Sequence, residues 1–257
     1  MIIAWLRALT GSERDTSANR QLALFLTFVA GALNANGFLA VAHYTTHITG
    51  LVSTLAGNVI SGQDKLIISG LCALIAFIAG ATCSTIIMHH ASRKKLQSVY
   101  AQPLLLEAML LLLFGLFGDS LRQPRVLYFP EIIIVMCFTM GLQNATVTKM
   151  TKAEIRTTHL TGLITDLGSE LGRLIYWNSK HGAHHNLPAI RADRKKLRLF
   201  ISLFAVFFAG SITGSAGFIH AGGCTAILPL GLLLAVLAVI PVIDDLYKCI
   251  RKKRQTR

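Results

Sequence analysis

Two stretches of this sequence repeat one polar motif. Residues 45–57 read T-T-H-I-T-G-L-V-S-T-L-A-G, and residues 157–169 read T-T-H-L-T-G-L-I-T-D-L-G-S. Seven of thirteen positions are identical, and three more are Ile/Leu, Val/Ile and Ser/Thr exchanges. The leading Thr makes a good N-cap, because its hydroxyl accepts from a free backbone N–H. The motif therefore predicts a helix start, with His47 and His159 in the first turn and Thr49 and Thr161 beside them. Free N–H groups at such an end favour an anion. Gly50 and Gly162 let another backbone or a ligand come close.

Helical spacing extends each motif into a polar stripe: His47, Gly50, Thr54, Asn58 and Ser61 in the first, and His159, Gly162, Asp166, Glu170 and Arg173 in the second. Glu170 and Arg173 can pair at i,i+3. Asp166 has no partner at that spacing, and Glu107 lies in an apolar run with no local base. Ionisable groups inside a membrane are expensive and are functional candidates by default. Asn34, His47, Thr49, Glu107, Asn144, His159, Thr161 and Asp166 are accordingly expected to gather round one substrate-binding cavity near the bilayer midplane. Plainer roles compete. Small residues and Thr at this spacing also serve as helix-packing surface. The two His side chains can simply hydrogen-bond across an interface, and Glu107 can be a structural acid. His181-Gly182-Ala183-His184-His185 reads as a solvated loop, and His89-His90 as interfacial. No metal, cofactor or nucleophile motif occurs, so an enzyme is not expected.

The elements that must position these residues follow from composition. The chain has 257 residues, 53% hydrophobic and only 14% charged, with a mean hydropathy of +0.57. Soluble domains carry about 25% charged residues. Apolar runs at Leu22–Ala42, Leu66–Met88, Leu104–Phe117, Phe129–Val147, Leu197–Ile219 and Ala226–Ile243 predict membrane spans. Leu104–Phe117 is short and must borrow flanking residues, with Pro103 in its first turn. The motif segments Thr45–Ser61 and Thr157–Tyr176 are expected to be helical but too polar to face lipid. The net charge of +13 comes from short basic stretches between the runs, such as Arg93-Lys94-Lys95 and Arg194-Lys195-Lys196. That placement signals topology and anionic lipid rather than nucleic acid. The five cysteines have no CxxC spacing, so neither a disulfide framework nor a zinc site is expected. Arg7 and the lack of a small-residue cleavage site argue against a cleaved signal peptide.

Each polar motif follows a G-x-x-N-A motif in an apolar run, at Gly31–Ala35 and Gly141–Ala145. Ala79-Gly80 and Ala209-Gly210 give a third, weaker match. Matching motifs in the same order predict a duplication. A basic leader (1–20) precedes two membrane repeats (21–118 and 129–247) and a basic tail (248–257). The pattern resembles the YoaK family, a group of bacterial membrane proteins of unknown function with about six predicted spans. The resemblance covers about Leu22 to Leu246. It rests on G-x-x-N-A followed by His47–Gly50, on Asn58, on Glu107 and on Ala79-Gly80. Ser84 stands where the family would have a second small Gly. The resemblance implies a multi-pass protein and brings no established activity.

Charge then sets topology. If the motif helices do not cross, six spans put 22 Lys/Arg inside and 3 outside; if they cross, eight spans give 19 and 6. Both place the termini in the cytoplasm of a bacterial inner membrane, as they do the 177–196 loop, and six spans fit the bias better. Three spans per repeat would make the repeats inverted, with the motif segments entering as half-helices from opposite faces. Four would make them parallel. The fold class is therefore an all-α polytopic transmembrane bundle with an internal duplication. The favoured function is a secondary transporter or permease for a small solute or ion. A non-catalytic membrane scaffold is the main alternative, and a membrane-embedded enzyme the weaker one. The expected partners are the lipid bilayer and a small solute or ion. An oligomer is compatible with the sequence.

Overall fold

The computed structural model describes residues 10–11, 16–41, 45–121, 130–151, 159–176, 191–220 and 222–255. The His181–His185 tract, most of the 177–196 loop, Thr157 and Thr158, and most of the leader lie outside the described residues. Eight α-helices occur among the described residues: α1 (Thr16–Val41), α2 (Ile48–Ile60), α3 (Asp64–Arg93), α4 (Ala101–Leu121), α5 (Pro130–Met150), α6 (Leu160–Ile175), α7 (Arg194–His220) and α8 (Leu228–Gln255). A 3₁₀ segment, Gly223–Ile227, leads into α8.

Helices α1, α3, α5, α7 and α8 are long and apolar enough to cross a membrane. With 21 residues, α4 reaches about 31 Å at 1.5 Å per residue, matching a hydrocarbon core of about 30 Å. It gains this length from both flanks of Leu104–Phe117. The 13 residues of α2 and the 16 of α6 reach only about 20 and 24 Å. The outward faces of α3 and α7 carry large apolar side chains, including Ile68, Ile75, Ile86, Phe208 and Ile212. That is the inverse of a soluble surface and suits lipid as solvent. The polarity expected of the first motif helix needs correction. No residue of α2 is buried, and Val52, Val59 and Ile60 point outward. Its polar residues occupy a stripe, which leaves the rest of its surface apolar.

Glycines set the tightest crossings. A Cβ on Gly31 would fall on the backbone oxygen of Phe207, and one on Gly210 on that of Phe28. These contacts join α1 to α7. Likewise Gly80 meets the carbonyl of Phe138, and Gly141 that of Phe77, joining α3 to α5. Only a residue without a side chain allows backbones so close. Gly214 abuts the Ala32 carbonyl in the first pair. At the corresponding place in the second pair Ser84 replaces glycine. Its hydroxyl lies 2.8 Å from that of Thr146, both buried. A hydroxyl pair thus substitutes for the glycine contact, and close packing is retained.

The order of contacts gives the helix directions. Phe28 meets Gly210 and Ala32 meets Gly214, so α1 and α7 run parallel. Gly80 with Phe138 and Ser84 with Thr146 make α3 and α5 parallel too. In contrast, Gly115 packs on Leu228 while Gly231 packs on Leu112, so α4 and α8 run antiparallel. Helices α1 and α5 are also antiparallel. Gln143 Nε2 donates to the Leu26 carbonyl at 3.2 Å, whereas Leu33 and Met136 border one small gap. Exchanging α1–α4 for α5–α8 therefore turns the α1–α7 pairing into the α3–α5 pairing and maps the α4–α8 and α1–α5 pairings onto themselves. Helices facing their own counterparts are antiparallel.

Candidate functional site

Helices α2 and α6 begin at the same cavity. It holds about 720 Å³ and is lined by Asn34, Thr46, His47, Ile48, Thr49, Phe77, Asn144, His159, Leu160, Thr161, Gly162 and Phe207. Asn34 and Asn144 reach it from the C-terminal thirds of α1 and α5, at the G-x-x-N-A motifs. Phe77 and Phe207 come from α3 and α7, three residues before Gly80 and Gly210. The tight glycine crossings bring these two phenylalanines inward.

The helix starts differ from the capping expected of the leading Thr. His47 and His159 are themselves the N-caps, with φ/ψ of −88°/64° and −83°/57°, and neither makes a side-chain capping bond. Their carbonyls accept the first helical bonds, from Leu51 N–H at 2.9 Å and Leu163 N–H at 3.0 Å. Thr46 is drawn elsewhere: its hydroxyl donates to Asn34 Oδ1 at 2.8 Å. This bond occupies the amide oxygen of Asn34 and leaves its N–H₂ as the group to offer a ligand. The thiol of Cys137 donates to the Thr45 carbonyl at 3.8 Å, which ties the approach to α2 to α5.

The two glycines of the motifs also differ from each other. At Gly50 the place of a Cβ is taken by the His47 ring, so glycine there seats the imidazole over its own helix. At Gly162 nothing lies within 4 Å, and the cavity is open. Close approach by a second backbone occurs at neither.

Six of the eight expected site residues line this one cavity: Asn34, His47, Thr49, Asn144, His159 and Thr161. Asp166 and Glu107 are not in its described lining. Asp166 is exposed on α6, four residues past Gly162 and so about 6 Å farther along the axis. Glu107 is wholly buried in α4, and neither of its oxygens has a hydrogen-bond partner. The cost of a membrane-buried charge requires such groups to find company; it does not require the company to be this cavity. Glu170 does pair with Arg173 Nη1 at 2.9 Å. Its other oxygen accepts from the Asp193 N–H at 2.9 Å, so it clasps the segment entering α7 and takes no part in the cavity.

Five lining residues lay outside both the expected site and the polar stripes: Thr46, Ile48, Phe77, Leu160 and Phe207. A signal existed for the aromatic pair. F-x-A-G occurs at Phe77–Gly80 and again at Phe207–Gly210, two residues beyond the short Ala-Gly match. Among the described residues no group of three or more His, Cys, Asp or Glu could hold a metal. The described lining carries no carboxylate, Lys or Arg. Its polarity therefore comes from amides, hydroxyls, imidazoles and two helix N-termini, each equivalent to roughly half a positive charge.

No solved structure matches the chain. The UPF0700 transmembrane protein YoaK of Bacillus subtilis (strain 168) is 29% identical over 159 residues, covering 60% of this chain and 68% of that protein. Such a transmembrane relative agrees with the apolar helices, and the chain is an integral, multi-pass membrane protein. The family model described as "Protein of unknown function (DUF1275)" matches residues 22–240, and the chain belongs to that family.

Proposed function

We propose that the protein is a permease-like transporter of a small solute, and that the cavity between α2 and α6 is where the solute binds. One observation carries this: corresponding residues from α1–α4 and α5–α8 line a single cavity, and a short helix from each set begins there. Half-helices converging from inverted repeats are a recurrent transporter plan. The antiparallel pairing of α4 with α8 and of α1 with α5 supports inverted repeats of a duplicated unit, 21–118 and 129–247. It supports six spans over eight. The charge bias then puts both termini and the 177–196 loop in the cytoplasm of a bacterial inner membrane.

The solute is small and rich in hydrogen-bond acceptors, with an anion favoured by the two helix ends. No nucleophile or metal is needed, and we infer no enzymatic activity. The test is uptake into proteoliposomes of a panel of small anions, cations and neutral solutes. Selective uptake that falls at least tenfold in Asn34→Ala or Asn144→Ala supports the proposal. No uptake by folded, inserted protein overturns it. A scaffold role has one feature in its favour. Gly168 and Gly172 on α6 have nothing within 4 Å, leaving a small-residue face bare. Protein that moves no solute but self-associates through that face would establish this second reading.

A further inference from the structure

Glu107 needs its own explanation. It is 0% exposed, and both carboxyl oxygens lack a hydrogen-bond partner. Gln143 on α5 is also 0% exposed; its Nε2 donates to the Leu26 carbonyl, while its Oε1 has no partner. Helix register relates the two. Leu111 and Phe114 of α4 share one gap of about 10 Å³ with Met136, Thr139 and Met140 of α5. Consecutive helices α4 and α5 run antiparallel, because α3 reverses into α4 and lies parallel to α5. One turn back from Leu111 and one turn on from Thr139 and Met140 bring Glu107 and Gln143 to the same level. These two residues thus carry three unpartnered, buried acceptor oxygens at one level of the α4–α5 pair.

No described side chain supplies the missing positive charge. The elements packed on α4 are α3, α5, α8 and the 3₁₀ segment. Between Lys65 and His89, α3 offers only Cys72 and Cys83. Within α5 the titratable groups are Glu131 at its start, Cys137 and Lys149, the last exposed and 3.4 Å from His89. The 3₁₀ segment offers Cys224, and α8 offers nothing titratable before Asp244. An unpaired buried acceptor is costly, and more so if charged. The cluster is also one-sided. Under the exchange of α1–α4 for α5–α8, Leu33 corresponds to Gln143. Gly223 corresponds to Glu107, by the register of Gly115 with Gly231.

We propose that Glu107, with Gln143, forms a second, buried site that takes one monovalent cation from solution, either a proton or Na⁺. A carboxylate with an amide oxygen is a hard-oxygen set suited to either. The site is separate from the solute cavity and stands whether or not that cavity transports. Its one-sidedness sets the stoichiometry at one cation per chain.

The experiment uses the full chain in lipid nanodiscs. One arm follows thermal stability and calorimetric binding as NaCl replaces choline chloride at constant ionic strength. The other follows the infrared carbonyl band of a protonated carboxyl across pH. The expected result is saturable binding of one Na⁺, or a titrating carboxyl band, lost in the near-isosteric Glu107→Gln. Gln143→Leu should weaken the apparent affinity about tenfold, the loss of one hydrogen-bond-sized contact. A Na⁺ response marks a sodium site, and a titrating band without one marks a proton site. The wild-type Na⁺ titration needs no variant to fold. A carboxyl band constant at every pH with no Na⁺ response overturns the proposal. So does a permanent carboxylate indifferent to Na⁺.

Discussion

Substituting alanine at glycines along the helices should give effects of opposite sign, set by what each Cβ would meet. In Gly80→Ala the methyl falls on the Phe138 carbonyl, which belongs to helix backbone and cannot swing aside. The α3–α5 crossing must open by an ångström or more along its length. Overpacking of this kind costs about 1–3 kcal/mol, and a backbone obstacle places it at the upper end. At about 2–4 °C per kcal/mol for a chain of this size, Tm should fall by about 5–12 °C. Gly31→Ala, Gly141→Ala and Gly210→Ala should fall similarly, since each meets a backbone oxygen of its partner helix. Gly57 and Gly168 have nothing within 4 Å and ordinary helical φ. There alanine gains helix propensity, up to about 1 kcal/mol, and Tm should hold or rise. Differential scanning fluorimetry of purified variants in one detergent reads both groups together. If Gly80→Ala and Gly168→Ala behave alike, the close crossings are wrong.

Other outcomes follow from individual contacts. A double-mutant cycle of Ser84→Ala and Thr146→Ala should show a coupling of about 0.6 kcal/mol, the average for hydroxyl pairs between membrane helices. Glu170→Ala should loosen residues 191–193, costing about 1.5–3 kcal/mol locally through the lost Asp193 contact, with little from half-exposed Arg173; hydrogen exchange there should rise. Asp193 caps α7, accepting from the Lys196 and Lys195 N–H groups, which hold its carboxyl below the usual range. Its contribution is present above the unfolded carboxylate pKa and disappears as pH falls through the lower folded value. Extra amide protection at 195–197 in wild type over Asp193→Ala should therefore vanish in strong acid.

Much of the site was legible because its residues are polar in an apolar chain. Asn34 and Asn144, or His47 and His159, stand out at a glance and recur in order. What stayed hidden depends on partners. Gly80 signals that some backbone comes close, but nothing in its neighbourhood says that the backbone is Phe138 rather than Phe28. Phe77 and Phe207 were concealed by the apolar runs around them, where an aromatic is unremarkable. The N-cap fell on His instead of Thr because Thr46 found Asn34, a partner twelve residues away. Glu107 and Asp166 were grouped with the cavity by a cost argument that fixes the need for a partner and leaves its place open. Glu170 reaching Asp193 depends on how a loop returns, which local spacing does not encode.

The central claim is that Thr49 and Thr161, from helices that begin in opposite halves of the chain, face one solute site. Thr49→Cys and Thr161→Cys, each made in a background with the five native cysteines replaced by serine or alanine, can be labelled with a membrane-impermeant thiol reagent in proteoliposomes. Any panel solute that the protein takes up should slow labelling at both positions with the same concentration dependence, and prior labelling of either should block uptake. A solute that protects one position and leaves the other untouched, or uptake that survives labelling at both, would contradict a shared site.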